Sequence, residues 1–458
     1  MSKSDLINNK ADVTTGSLFK HVVRMSIPGM GGFFAIVAFN FADTYFVSQL
    51  SNDHLTAMGY IFPVVMILHA LVMGVSAGSE VMVSHLLGAK NVEKAQEITV
   101  AGVGLAFIIS IIMGALGIIF LDDIFALMSA KGEPLRLAKE YMIVWFCSMA
   151  TVFMPPVSDG ILRASGDMVR PFWVMCLCAV LNVIFDWLLI FGNWGLPELG
   201  IAGAAYATAI ARVVAMILSL YFLTSKAKLM TWQWVKLKKL TADWTKILKY
   251  GMPASITQLM YPVSRFIFTK LINEASGKIG VGAISAGSRI EYFAQIVPYS
   301  ISFAIMAIFG QNLGAKKYDR LNHGINLLMV ISFVYGVFTV GIFALTGQWL
   351  STIMSKGDLE IEKLTYQYLL LSSIGSGGFY FTMLIFRTIT ALGKALDAAI
   401  LNIIQVLIIV IPCVIAGFYL GKFEGLVLAN SIAFILSGIL LFIASKKLLK
   451  SLQKSDLE

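Results

Sequence analysis

The sequence predicts an all-α integral membrane protein, with twelve transmembrane helices in two six-helix lobes related by a pseudo-two-fold axis along the membrane normal. Three observations predict it. The first is composition: 58% of the 458 residues are hydrophobic and 13% are charged, against about 25% charged in a soluble domain. The mean hydropathy is +0.81. Water does not tolerate that much apolar surface, whereas a bilayer accepts it as solvent. The second is the pattern of apolar runs. They fall at 26–50, 55–87, 98–121, 136–157, 169–191 and 201–223, then at 251–273, 280–313, 324–347, 363–387, 396–418 and 424–445. Most are near the roughly 20 residues that a membrane helix needs, and 55–87 and 280–313 are long enough to tilt or to extend past the membrane.

The third observation is a weak internal repeat. Pro28 is echoed by Pro253, and Leu87-Gly88-Ala89-Lys90 by Leu313-Gly314-Ala315-Lys316. Arg163 and Gly166 are echoed by Arg387 and Gly393, and "GAAYAT" from Gly203 by "GLVLAN" from Gly425. The offsets all lie between 222 and 227 residues. Six spans per repeat give both halves one orientation, which places the axis along the membrane normal. The expected organisation is an N-terminal arm (1–25), an N-lobe (26–223), a basic linker (224–250), a C-lobe (251–445) and a polar tail (446–458).

Orientation follows from Lys and Arg. With both termini on one side, that side carries 24 of them between spans and the other side seven. The bias predicts that termini and linker are cytoplasmic. It also explains the net charge of +9 without nucleic acid. Residues 1–25 lack the apolar core of a cleavable leader. The four cysteines lie in apolar runs, and Cys176 and Cys178 stand about 200° apart around a helix, which argues against a shared metal.

Ionisable groups inside the apolar runs need a reason, since each costs roughly 3 kcal/mol at mid-membrane. Asp43 lies in "FNFADTYF", with Asn40 three residues before it on the same helical face. Asp186 follows Asn182 by four residues, which again aligns the two side chains. Thr208 adds a hydroxyl in the sixth run. Asp43, Asn182, Asp186 and Thr208 offer oxygens that suit a sodium ion or a shared proton. A purely structural knot of polar side chains is the competing reading. Pro28 removes a backbone hydrogen bond near Gly29, Gly31 and Gly32, so the first helix is a candidate hinge unless Pro28 merely fills its first turn. In the second half, Arg265 and Lys270, and Arg289 with Glu291, are expected to pair or to reach the interface. Tyr261, Gln258, Arg265 and Glu291 are the candidates for a cargo cavity there.

No G-x-x-x-x-G-K-[ST] loop, H-E-x-x-H pair, zinc-type cluster or serine elbow appears. ATP hydrolysis by a P-loop and a membrane transferase are therefore disfavoured. No cofactor is expected beyond a coupling ion.

These residues together resemble the multidrug and toxic compound extrusion (MATE) transporters. The likeness rests on Pro28, Asn40 with Asp43, "LLGAK" after the second run, "LRASGD" after the fourth, Asn182 with Asp186, "GIAGAAYAT" in the sixth and "LGAKKYDR" after the eighth. It runs through residues 16–445. The resemblance implies a secondary active multidrug exporter of the bacterial cytoplasmic membrane. It implies a monomer that exchanges small, mostly cationic organic compounds for protons, or for sodium, by alternating access. It assigns the coupling site to positions matching Asp43, Asn182, Asp186 and Thr208, and the hinge to Pro28. The NorM-like branch carries a carboxylate near the position of Tyr261. Its absence here brings the chain closer to the DinF-like branch. The competing reading is a flippase of lipid-linked precursors on a related two-lobe fold. Such carriers favour a cationic cavity, and the deepest charges of this first half are acidic.

Overall fold

The computed structural model describes residues 12–231, 237–355 and 357–456. Lys3, Lys10, part of the expected linker, Lys356 and the last two residues lie outside them. Among the described residues the chain folds into twelve helical spans. The first six are α1 (Leu18–Ser48), α2 (Asn52–Gly88), α3 (Val92–Ile119), α4 (Gly132–Cys147 and Met149–Ala164), α5 (Val169–Phe191) and α6 (Gly200–Tyr221). The helical run Leu237–Ala294 turns at Gly277, whose φ is 59°. It therefore supplies α7 (237–276) and the first arm of α8, which continues as Ile296–Gly314. Next come α9 (Tyr318–Ser355) and α10 (Leu359–Ile374 and Ser376–Ala391). The last run leaves helical geometry at Gly421 and Lys422, which divides it into α11 (395–420) and α12 (423–455).

The two halves repeat in detail. α4 bends by 54° between its arms and α10 by 56°. The LGAK motifs are helix-ending turns. Lys90 and Lys316 adopt φ of 60° and 55°. The next amide reaches five residues back in each case, Asn91 N to Leu86 O at 2.8 Å and Lys317 N to Asn312 O at 2.9 Å. This is the Schellman closure, which satisfies carbonyls that a helix end leaves open. Gly166 and Gly393 make the same turn after α4 and α10, with φ of 90° and 73° and bonds from Asp167 N to Leu162 O and Lys394 N to Ile389 O. The repeated motifs thus mark chain reversals.

The chain divides into two units, Arg24–Ser255 (unit 1) and Val13–Val23 with Ile256–Glu458 (unit 2). Unit 1 is packed around Phe153, Ile161, Leu162, Met142 and Ile98. Unit 2 has a cluster around Phe268, Ile272, Phe343, Leu369 and Leu426. Outward faces stay greasy. On α9, Phe333, Val334, Val337 and Phe338 form an exposed stripe at helical spacing, as expected of a surface whose solvent is lipid.

The segment that leads into the first helix of each half belongs to the other unit. Residues 237–255, within or just past the expected linker, are helical and pack on unit 1. A Cβ at Gly78 of α2 would lie 2.2 Å from the carbonyl oxygen of Ile247, and one at Gly74 would lie 2.5 Å from that of Gly251. This small-xxx-small spacing lets backbones touch. Lys94 Nζ binds Asp243 at 3.0 Å, and Trp244 Nε1 donates to Ala101 O at 3.0 Å. Val13–Val23 packs on unit 2 in turn. Arg320 Nη1 donates to Gly16 O at 2.8 Å, Lys317 Nζ to Thr14 O at 2.8 Å, and Asn312 Nδ2 to Val13 O at 3.1 Å. Val13 is fully buried.

Candidate functional site

α1, α5 and α6 bring Asp43, Asn182, Asp186 and Thr208 together inside unit 1. Asp43 is 8% exposed, Asn182 1%, Asp186 0% and Thr208 5%. The spacing of four residues does place Asn182 and Asp186 side by side. With its amide oriented to suit both neighbours, Asn182 donates to Asp186 Oδ2 at 2.8 Å and accepts from Thr208 Oγ1 at 3.1 Å. Asp43 and Asp186 lie within reach of each other's charge. Asp43 Oδ1 and Asp186 Oδ1 are both buried without a hydrogen-bond partner. Buried polar atoms are nearly always satisfied. Two orphaned carboxylate oxygens beside an amide and a hydroxyl therefore make a place that fits a proton or a hard cation. The side chain of Asn40 lies outside the described residues.

Two further residues join this group that the sequence reading did not include. Tyr141 of α4 is buried close to Thr208, Asp43, Asp186 and Arg212. Arg212 stands one turn after Thr208 on α6, a spacing that a search for i,i+4 partners would have caught. Tyr141 carried no such signal, because it lies in "KEYMIVWF", where it reads as one more buried aromatic.

Pro28 sits inside α1 rather than at its opening, because the helix begins ten residues earlier at Leu18. The first-turn reading is therefore excluded, and a backbone bond is missing within the span. The glycines beside it have a packing role. A Cβ at Gly31 would meet the Phe172 ring at 2.4 Å, and one at Gly32 would meet Met175 Sδ at 3.2 Å.

In unit 2 the expected pairing of Arg289 with Glu291 gives way to another arrangement. Glu291 Oε2 accepts from Tyr368 Oη at 2.7 Å, and the same hydroxyl accepts from Arg265 Nη1 at 3.2 Å. Arg265 also donates to Ser288 and lies 5.7 Å from the centre of the Phe268 ring. Tyr368 was missed, since nothing in "LTYQYLLL" marks a tyrosine as a bridge. Tyr261 is half-exposed with its ring 6.2 Å from that of Phe379. Gln258 is exposed one turn before it.

Twelve greasy spans in two repeated halves, with buried acids in one of them, define a multi-pass membrane carrier. The family model described as MatE matches residues 28–188 and 253–415. The chain belongs to that family, the multidrug and toxic compound extrusion transporters. Among its relatives is a protein of Shewanella oneidensis named FAD transporter, 29% identical over 427 residues and covering 93% of this chain and 94% of that one. The multidrug export protein MepA of Staphylococcus saprophyticus is 25% identical over 442 residues, covering 94% and 95%. A solved structure described as the outward-facing conformation of a multidrug resistance MATE family transporter of the MOP superfamily has a TM-score of 0.90. It is 24% identical and covers 98% of this chain and 99% of its own. Family members are transporters, and this chain is a carrier rather than an enzyme.

Proposed function

We propose that the chain is a secondary active exporter of small organic compounds, mostly cations, in exchange for protons, with sodium as the alternative coupling ion. The observation that carries this reading is the pair of orphaned oxygens on Asp43 and Asp186. An ion that enters there cancels negative charge in unit 1, so a bound organic cation is held less tightly. By linkage, bound cargo disfavours the ion by the same free energy. Alternate binding then drives exchange, provided the carrier opens to one side at a time. Asn182 and Thr208 offer neutral oxygens for a sodium ion. Asn182 holds Thr208 and Asp186 in place.

Pro28 supports a hinge in α1, since a proline has no N–H to give to the preceding helical turn. Pro28→Ala should reduce transport more than expression, and wild-type transport in that variant would remove the hinge. The charge bias supports cytoplasmic termini, and the reading puts the chain in the bacterial inner membrane as a monomer. The lack of a carboxylate near Tyr261 supports the DinF-like branch. The direct test is reconstitution in vesicles, with a proton or a sodium gradient imposed separately and an organic cation such as ethidium as cargo. Failure of both gradients to drive accumulation of any tested cation contradicts the reading.

One observation favours a second reading of the cargo. Arg265 is set among Tyr368, Phe268 and Ser288 in unit 2. A guanidinium beside aromatic rings suits an aromatic anion. A relative at 29% identity is named FAD transporter. Flavin dinucleotide efflux from loaded vesicles, lost in Arg265→Gln and unaffected by ethidium, would replace the cationic reading.

A further inference from the structure

Unit 1 carries an arginine to which the coupling reading gives no role. Arg212 lies on α6, with more than about 13 Å of helix between it and either end of the span, Gly200 or Tyr221. Snorkelling serves residues near helix ends, so an arginine at this depth does not reach the headgroups. It also sits on the inward face. At about 100° per residue, buried Thr208, Ala215 and Ser219 lie within about 60° of it, while exposed Ile210 and Ile217 lie about 140–160° away.

Two other arginines inside the spans are engaged. Arg163 of α4 donates to Glu80 of α2 at 3.0 Å, and Arg265 of α7 donates to the hydroxyls of Tyr368 and Ser288. Among the described residues, Arg212 has no acceptor within hydrogen-bond distance and no carboxylate within ion-pair distance. Its neighbours come from three other helices: His69 of α2, Tyr141 of α4 and Cys178 of α5. His69 likewise makes no hydrogen bond among the described residues, and both side chains are only partly buried. The guanidinium brings five N–H donors, and a neutral imidazole brings one more. A charge at mid-membrane is retained where a partner or a pathway uses it. This chain supplies no partner, so the partner comes from outside. The donors set its chemistry: an oxyanion, which the planar guanidinium binds through two parallel hydrogen bonds. The depth of Arg212 excludes a lipid headgroup as the source.

We infer that Arg212 and His69 form an anion subsite in unit 1, which takes the carboxylate or phosphate group of an organic cargo. The inference deepens the transport reading and rests on it for the cargo. The compounds carried then include some with an acidic group. That group is met at Arg212, one turn from Thr208, while Asp43 and Asp186 remain for the coupling ion.

The test is equilibrium binding to the purified full-length protein in phosphatidylcholine nanodiscs at neutral pH. Naphthoate is the probe, naphthamide is its uncharged counterpart, and empty nanodiscs correct for partition into lipid. The wild-type chain should bind naphthoate about tenfold or more tightly than naphthamide, as charge-assisted hydrogen bonds imply. Arg212→Gln should remove that preference, and His69→Leu should weaken naphthoate several-fold. A second measurement needs no variant. Phenylglyoxal, which modifies arginine, should reach Arg212 of the wild-type chain, as read by mass spectrometry, and naphthoate but not naphthamide should protect it. Equal affinity for the two probes overturns the subsite, as does a preference kept by folded Arg212→Gln. An Arg212 that phenylglyoxal does not reach, or that naphthoate does not protect, overturns it too. Ethidium accumulation tests exchange separately, so loss of this subsite and loss of the transport reading give different results.

Discussion

Both units set acids among apolar helices, buried in unit 1 and partly covered in unit 2, and they complete them differently. In unit 1, Asp43 and Asp186 each keep one buried oxygen without a partner. In unit 2, Glu291 takes the hydroxyl of Tyr368, which in turn takes Arg265. The first arrangement is open to an ion, and the second already contains its cation in the form of a side chain. The difference teaches that a repeated fold need not repeat its chemistry. The turns, the bends and the exchanged lead-ins recur in both halves, while the ionisable groups do not.

The lead-ins show the same division. Arg320 stands 226 residues after Lys94. Lys94 binds a carboxylate, that of Asp243, which is 2% exposed. Arg320 binds backbone carbonyls of Val13 and Gly16. One clasp depends on a particular side chain and the other on the chain itself.

Removing the internal cation is the largest expected break in this comparison. Arg265→Met leaves Glu291 with a hydroxyl alone and should cost about 2 kcal/mol, less than the ~3–5 kcal/mol of a fully buried pair because Glu291 is only partly covered. Thermal melting measures it, and a second substitution, Glu291→Gln, should recover most of the loss. Asp43→Asn should cost little or nothing, since no partner is left behind. Equal losses from the two single variants would erase the contrast between the units.

Next in size is the docking of the lead-in on α2. Gly78→Ala forces a Cβ against the Ile247 carbonyl and should cost about 1–3 kcal/mol of thermal stability. The matching position in unit 2 is Ala304, which is buried with its Cβ in place. Tolerance of alanine at 78 would mean that the close backbone approach is not needed.

A smaller effect is expected at the N-terminal clasp. Arg320→Met should cost about 1–2 kcal/mol locally and speed proteolysis ahead of Leu18, while Lys94→Met should leave that cleavage unchanged. The smallest concerns the strained turns. Lys90→Gly relieves a positive φ and should change stability by about 1 kcal/mol or less. A large loss would show that the Lys90 side chain, rather than its backbone, maintains the turn.

The fold was legible because membrane helices announce themselves through composition and length. Pro28 and the LGAK motifs gave the repeat away, and the structure explains the latter as helix-ending turns. The unit 1 group was legible where helical spacing aligns two polar residues, as with Asn182 and Asp186. It was not legible where the partner comes from a distant helix. Tyr141, Tyr368 and the Glu80–Arg163 pair meet across 67, 77 and 83 positions of sequence respectively, and a single chain carries no local mark of such contacts. The start of α1 was placed too late because its lead-in, with Lys20 and Arg24, is polar. It is helical all the same, since it packs on protein instead of crossing lipid.

The central claim is that ion coupling resides in unit 1 and not in unit 2. Vesicles holding Asp43→Asn and vesicles holding Glu291→Gln, matched for folded protein, should be given the gradient that drives the wild-type chain, with ethidium as cargo. The account predicts no accumulation in the Asp43→Asn vesicles, because asparagine mimics the permanently neutral state, and near wild-type accumulation in the Glu291→Gln vesicles. Uphill accumulation by Asp43→Asn, or loss of coupling in folded Glu291→Gln, would contradict it.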